Sequence, residues 1–503
     1  MICEKPNNTE AIDISNFHQP ESLSKRVVRG GIWVFALRFT NRGLGFIRTI
    51  ILARLLVPAD FGLLGIAMLA IATLETFSQT GFGAALIQKK DNVESYLDTA
   101  WTVSVIRGIV LFLILFLSAP VIAKFFNSPQ ATLIIRVIAV STLLSGFRNI
   151  GILFFQKELE FNKQFFYELS GTLVDLTVAI TLAFILRNVW ALVWGGLAAN
   201  FVRLFMSYII QPYRPRIKFE KEKFQELFVF GRWVVGSGIL VFLITQGDDI
   251  FVGKMLGVTA LGLYQMAYLI SNLPATEITK VISQVAFPAY SKLQDELPKL
   301  REAYLKVLQL TAFISIPLAG GIFILAPEFT QIFLGDKWMP VVPALQVLAL
   351  WGMIRSLGAT TGAVFQSTGK PEILTNVQFV HLILLAILIY PLSIEWGILG
   401  TSLAVILATL IPVSVAFYMV VKVIRCKTWN FWKMIVLPLI STAIIICFIF
   451  ILKTHWTNAI GMLEIFLFML ICIMTYLGMT HLHNIFFSYG MQNIIKRLLE
   501  FKG

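Results

Sequence analysis

Trp33-Val34-Phe35-Ala36-Leu37-Arg38-Phe39-Thr40-Asn41-Arg42-Gly43-Leu44-Gly45-Phe46-Ile47-Arg48 is the middle of a segment, 26–56, that has the length and apolarity to span a bilayer and yet carries arginines at its centre. On a helix turning about 100° per residue, Arg38, Asn41, Arg42, Gly45, Arg48 and Thr49 fall in one stripe about a third of the circumference wide. Phe39, Leu44, Phe46, Ile47, Ile50 and Ile51 cover the rest. An arginine near the bilayer centre costs about 2.5–3.5 kcal/mol on insertion scales, so the stripe must face protein or a wet cavity. Two readings follow. The arginines either pair with acids on neighbouring helices, or present a cationic surface to an anionic substrate.

The composition widens this reading from one helix to the chain. Of 503 residues 57% are hydrophobic and 14% charged, and mean hydropathy is +0.80, which excludes a water-soluble globular protein. About fourteen apolar segments are long enough to cross about 30 Å of hydrocarbon. They run over 27–53, 58–81, 98–122, 131–155, 164–186, 189–211, 226–253, 258–289, 304–326, 341–366, 372–391, 397–421, 431–452 and 460–480. The fold expected is an all-α membrane protein of about 14 transmembrane helices.

The net charge of +13 is distributed by topology. Alternate connections hold about 25 lysines and arginines, against about 6 in the other set, Arg54, Lys124, Arg187, Lys254, Lys337 and Lys453. This positive-inside pattern predicts a multi-pass protein of the inner or plasma membrane with both termini cytoplasmic, and it removes nucleic acid as a partner. The first 26 residues lack the apolar core of a signal peptide, so the first helix is expected to stay as an anchor. Cys3, Cys426, Cys447 and Cys472 show no metal spacing and no disulfide framework.

An internal repeat organises the segments. At an offset of about 200 residues, Gly31 and Trp33 match Gly231 and Trp233, and Ile51-Leu52-Ala53-Arg54-Leu55-Leu56 resembles Phe251-Val252-Gly253-Lys254-Met255-Leu256. Further on, Ala119-Pro120 matches Ala326-Pro327, and Phe155-Gln156 matches Phe365-Gln366. Two parallel six-helix lobes plus two extra C-terminal helices are therefore expected, with a substrate site between the lobes. The division reads as a 1–26 tail, an N-lobe over 27–211, a basic linker over 212–225, a C-lobe over 226–424, and 425–503 for the last two helices and tail.

Charges at membrane depth supply the candidate site. Where the first helix carries Arg38 and Arg48, the second lobe has Gly238 and Asp248, followed by Asp249. Arg148 and Arg355 hold nearly equivalent places in the two lobes, and Glu168, Thr172 and Asp175 share one helix face. Further ionisable residues at depth are Glu75, Arg107, Arg136, Arg203, Arg232, Glu277 and Lys280, with ion pairing between helices expected for part of the set. No phosphate loop of the ATPase type is present. His481 and His483 stand two apart with no further ligand nearby, and Asp248-Asp249 lies within a span where a glycosyltransferase would place it on a loop. No cofactor, metal or catalytic residue is expected.

Several stretches resemble a known family. They are 50–63 (Ile50-Ile51-Leu52-Ala53-Arg54-Leu55-Leu56-Val57-Pro58-Ala59-Asp60-Phe61-Gly62-Leu63), Asp249 to Gly257 with Leu261-Gly262-Leu263-Tyr264, Phe287 to Asp295, and Leu334-Gly335-Asp336-Lys337-Trp338. In order, they resemble the polysaccharide or O-antigen flippases, colanic-acid exporter type, of the multidrug/oligosaccharidyl-lipid/polysaccharide exporter superfamily. The resemblance implies a V-shaped pair of lobes that moves a polyprenyl-pyrophosphate-linked oligosaccharide by alternating access. It also implies a role in lipopolysaccharide, exopolysaccharide or capsule synthesis, beside polysaccharide polymerase and chain-length proteins.

The residues themselves assign Arg38, Arg42 and Arg48 to the pyrophosphate, Arg148 and Arg355 to an extended cationic surface, and Asn41 and Thr49 to the sugar. Glu168, Asp175, Asp248 and Asp249 are candidates for coupling to an H+ or Na+ gradient. Rival readings are a drug or metabolite exporter of the same superfamily and a membrane-embedded glycan polymerase or ligase. The charge asymmetry makes one prediction directly: a single cysteine at position 221, in a cysteine-free background, should resist an impermeant thiol reagent in intact cells and react after permeabilisation.

Overall fold

The structure is a computed structural model, which describes residues 23–89, 93–455 and 461–487. The side chains of 23–30, 32, 84, 88, 228–238, 273–285 and 487 lie outside the description, and with them those of Gly231, Arg232, Trp233, Gly238, Glu277 and Lys280. Most of both tails expected in the cytoplasm also lies outside it.

Every described element is helical. In order they are α1 (Leu23–Leu55), α2 (Pro58–Phe77), α3 (Phe82–Gln88), α4 (Glu94–Phe125), α5 (Ala131–Gly146), α6 (Phe154–Lys157), α7 (Phe161–Leu186) and α8 (Trp190–Ile210). The second half comprises α9 (Lys221–Met255), α10 (Val258–Leu293), α11 (Leu297–Phe329), α12 (Val342–Ser367), α13 (Pro371–Val423), α14 (Thr428–His455) and α15 (Met462–Phe487). Among the described residues nine helices are long and apolar enough to cross a membrane, or ten if the bent α5–α6 pair is one span. The chain is therefore an all-α, multi-pass membrane protein.

Two expected segments differ in form from a straight span. The fourth, read as continuous over 131–155, bends by 75° between α5 and the Ile150–Lys157 stretch. The cause is Asn149, whose Oδ1 accepts from the Gly151 amide at 2.9 Å and whose amide groups are held by Ser207 Oγ and the Tyr213 carbonyl. The eleventh and twelfth segments form one continuous run, α13, of 53 residues. At 1.5 Å per residue that is about 80 Å, more than twice the hydrocarbon thickness, so α13 must fold back. It does so at Gly397, where φ 58° and ψ −135° suit only glycine.

The linker 212–220 is strapped to the start of α4. Asp98 accepts from the Arg216 amide at 2.9 Å and from the Tyr213 hydroxyl, while the Lys218 and Glu220 amides donate to Thr102 and Thr99. Burial and the bond to Asp98 push the Tyr213 phenol well above its usual range. At the other end of the chain, α14 packs against α11, with Lys453 Nζ 2.7 Å from Glu328 Oε2.

The halves meet where α2 crosses α10. Lipid tails are as apolar as leucine, so helices in a bilayer associate by close packing of small residues more than by hydrophobic burial. Here the contact is backbone to backbone: a Cβ on Gly62 would stand 1.8 Å from the Val258 carbonyl oxygen, and one on Gly262 would stand 2.0 Å from that of Pro58. These two glycines are equivalent in the internal repeat. Around them the Trp338 side chain, fully buried, donates to the Ala53 carbonyl at 2.9 Å and meets Phe61 edge to face. Arg54, at the end of α1, donates to the carbonyls of Gln331, Ile332 and Phe333, which close α11. Its repeat counterpart Lys254 ends α9 and lies 5.1 Å from the Phe125 ring centroid at the end of α4. Each half thus reaches across to the third long helix of the other.

Gly62→Ala should therefore destabilise the protein by about 1–3 kcal/mol, since neither carbonyl can step aside without parting the helices. Gly196→Ala, whose Cβ would meet nothing within 4 Å, should be neutral or stabilising by up to about 1 kcal/mol. Thermal unfolding of both variants in one detergent reads the difference.

Candidate functional site: a polar ladder along α7 and a buried acidic pair in α9

The polar stripe of α1 packs against α7. Arg48 Nη2 lies 2.9 Å from Asp175 Oδ1, with each side chain about one-fifth to one-quarter exposed. One turn toward the N-terminus of α7, the Thr172 hydroxyl donates to Asn41 Oδ1 at 3.1 Å. A further turn along, Glu168 Oε2 stands 3.4 Å from Arg203 Nε of α8, an ion pair without good hydrogen-bond alignment. The shared face of Glu168, Thr172 and Asp175 thus offers its acids in opposite directions, one to α1 and one to α8.

Arg148 lies beyond α5, where its Nη2 donates to Asn200 Oδ1 of α8. The Nε atoms of Arg48 and Arg148 are buried with no protein acceptor. Arg38 is half-buried and forms no hydrogen bond or ion pair with a described residue. Arg42 is half-buried as well and takes part in an interaction. Thr49 turns its hydroxyl back onto the Gly45 carbonyl of its own helix at 2.9 Å.

The second half carries a different cluster. Asp248 and Asp249 are 2% and 8% exposed. Asp248 accepts from the Tyr264 hydroxyl at 2.7 Å and from the Asp249 amide at 3.0 Å, whereas Asp249 Oδ1 is buried without a donor. Arg355 donates to Tyr268 Oη at 3.1 Å and to Asn272 Oδ1 at 3.3 Å, with its guanidinium over the Trp351 ring. It lines a cavity of about 260 Å³ together with Thr245, Tyr268, Trp351, His381 and Thr409. Arg148 and Arg355 are thus each bound within their own half of the chain.

Two of the expected candidates, Arg48 and Asp175, are one ion pair, so a role for either involves the other. Sequence reasoning named Arg203 only as an ionisable residue and passed over Asn200. Their three-residue spacing puts both on one face of α8, complementary to the acidic face of α7, and that was the available signal. Tyr268 and Asn272 were also passed over, and Tyr264 entered only within a resembling stretch, because a tyrosine at i, i+4 in an apolar helix reads as packing.

The pairing predicts a thermodynamic cycle. Arg48→Gln and Asp175→Asn should each lower stability by about 1–3 kcal/mol, less than for a fully buried pair because solvent reaches both groups. The double variant should recover most of the loss. Melting temperatures of the four proteins measure the coupling.

Comparison with known proteins places this geometry. The profile of the polysaccharide biosynthesis protein family matches residues 51–343. The chain is 28% identical over 405 residues to the lipopolysaccharide biosynthesis protein WzxC of Escherichia coli (strain K12), covering 80% of this chain and 82% of that protein. It is 25% identical to the teichuronic acid biosynthesis protein TuaB of Bacillus subtilis (strain 168), over 84% and 88% of the two chains. It is 24% identical to the succinoglycan biosynthesis transport protein ExoT of Rhizobium meliloti (strain 1021), over 69% and 75%. Among solved structures, the lipid II flippase MurJ in an inward closed conformation superposes with a TM-score of 0.73 at 15% identity, over 90% of this chain and 98% of that one. An inward-facing multidrug resistance transporter of the MATE family gives 0.62 at 17% identity, over 77% and 94%. The two structures establish the fold, and the profile establishes the kinship: the chain belongs to the polysaccharide biosynthesis protein family.

Proposed function

We propose that this chain is a flippase of the inner membrane that carries a polyprenyl-pyrophosphate-linked oligosaccharide from the cytoplasmic to the outer leaflet, with both termini in the cytoplasm. The names of the relatives support the substrate class, since they speak of lipopolysaccharide, teichuronic acid and succinoglycan, the last as transport. The observation that carries the reading is Arg38, a half-buried arginine at membrane depth with no ion pair to a described residue. A guanidinium in that position supplies a planar pair of donors for a phosphate oxygen, at an insertion cost that protein packing alone does not offset.

In this mechanism Arg38 and Arg42 hold the pyrophosphate, and the Arg48–Asp175 pair opens to extend the cationic stripe as the substrate enters. Asn41 and Thr172, already hydrogen-bonded to each other, exchange that bond for sugar hydroxyls. The lipid tail stays in the bilayer, so no covalent step is required and the chain acts as a transporter, with no enzymatic role. Asp249 is the candidate for coupling to H+ or Na+, because its Oδ1 is the buried acceptor left without a donor. Polysaccharide polymerase and chain-length proteins are the partners expected to receive the product.

Arg38→Gln should cut transport about ten- to a hundredfold at normal abundance, and Arg38→Lys should retain part of it. The measurement is lipid-linked glycan accumulating on the cytoplasmic side, together with polymer output. Full activity in a well-folded Arg38→Gln protein would remove the phosphate role and favour an exporter of another substrate class.

A further inference from the structure

A second polar cavity, of about 740 Å³, lies apart from the α1–α7 stripe and is built entirely by α10 to α13 and their connections. Its polar lining is Gln294, Asp295, Thr368, Lys370, Lys422 and Arg425. Three cations face one carboxylate, and none of these charged side chains has an ion-pair partner among the described residues. The turns that present two of the cations are tight helix ends. Lys370 follows Gly369 (φ 68°), with its amide on the Phe365 carbonyl at 2.8 Å. Arg425 itself takes the left-handed conformation, φ 49°, with the Cys426 amide on the Val421 carbonyl at 3.0 Å. Glycine is the unstrained choice at that position, yet arginine stands there, and Arg301 braces its carbonyl at 3.0 Å.

The cavity continues into an apolar slot of about 160 Å³ between the two arms of α13, with Ile373 and Met419 lining both spaces. Asn376, Val377 and Val380 on one arm and Pro412 and Val415 on the other complete the slot. From Ile373 to Val380 it descends about 10 Å, most of the depth of one leaflet's hydrocarbon. Trp429 and Trp432, both exposed at the start of α14 just beyond Arg425, mark the headgroup level at which tryptophan collects.

We propose that this face binds an anionic phospholipid as a resident ligand, with its phosphate among Lys370, Lys422 and Arg425 and an acyl chain in the α13 slot. A soluble anion would have no use for the slot, and a neutral lipid none for the unpaired cations. The site ties the two ends of α13, remote from its fold-back at Gly397, to the ends of α10 and α12, so occupancy bears on how the second half sits in the leaflet. This inference is independent of the flippase reading, since no residue of α1–α8 lines either space.

The test uses the full chain, purified in neutral detergent and exposed to mixed phosphatidylglycerol and phosphatidylcholine, with retained lipid counted by native mass spectrometry. The wild type should retain phosphatidylglycerol at least about tenfold over phosphatidylcholine, given about fivefold per basic residue near an anionic surface. The triple variant Lys370→Gln, Lys422→Gln, Arg425→Gly, the last compatible with the left-handed turn, should lose that preference. Asp295→Asn should strengthen retention severalfold, and Val415→Trp, which fills the slot without touching a charge, should weaken it. These two single changes read the site even where the triple variant is poorly folded. Equal retention by wild type and a folded triple variant overturns the proposal, as does indifference to both single changes. Displacement by inorganic phosphate would make this a free-anion site, and displacement by polyprenyl pyrophosphate would make it part of the transport path; either result overturns it.

Discussion

Two backbone carbonyls, those of Pro58 and Val258, set how close the halves of this protein come. Each lies where a methyl group on the opposing glycine would collide with it, so α2 and α10 touch along their main chains and nothing larger than hydrogen fits between. Everything at that end follows from the contact. It brings Trp338 to the Ala53 carbonyl and the Arg54 guanidinium to the open carbonyls at the end of α11. A cation there satisfies acceptors that the helix cannot satisfy itself.

The buried charges follow a different logic in each half. In the first, acids on α7 neutralise arginines on both flanking helices, and the arginines keep spare donors. In the second, two adjacent carboxylates are sealed in, one of them under the Tyr264 hydroxyl, and Arg355 is spent on Tyr268 and Asn272. Among the described residues the cluster between α1, α7 and α8 is thus rich in arginine, and that of α9 holds two adjacent acids.

Much of the fold was legible because a bilayer demands long apolar runs, and the expected segments fall on described helices, with 131–155 on a broken one. The repeat was legible because Gly62 and Gly262 each meet a carbonyl of the other's helix at the same crossing. The bend at Asn149 was not, since it depends on Ser207 and Tyr213, about sixty residues further along the chain. Side-chain pairing was legible only in part. The spacing of Glu168, Thr172 and Asp175 gave their common face, but which arginine each acid meets is set by helix packing that periodicity does not encode. Arg54 was counted simply as a loop charge, because a cation that serves backbone carbonyls leaves no acidic partner in the sequence to find.

The Arg48–Asp175 pair also has a history in time. Its two members are 127 residues apart, and α1 leaves the ribosome well before α7. At about 5–20 residues per second the arginine waits roughly 6–25 s for its acid. During that wait α1 carries an uncompensated cation into the insertion machinery, and the translocon or a lipid phosphate must shelter it. Both acid–arginine contacts of α7 close within the first half of the chain, so the N-terminal bundle can neutralise itself while the second half is still being made. The order of synthesis thereby becomes an order of assembly, in which a settled first half receives the second along the seam of Gly62 and Gly262.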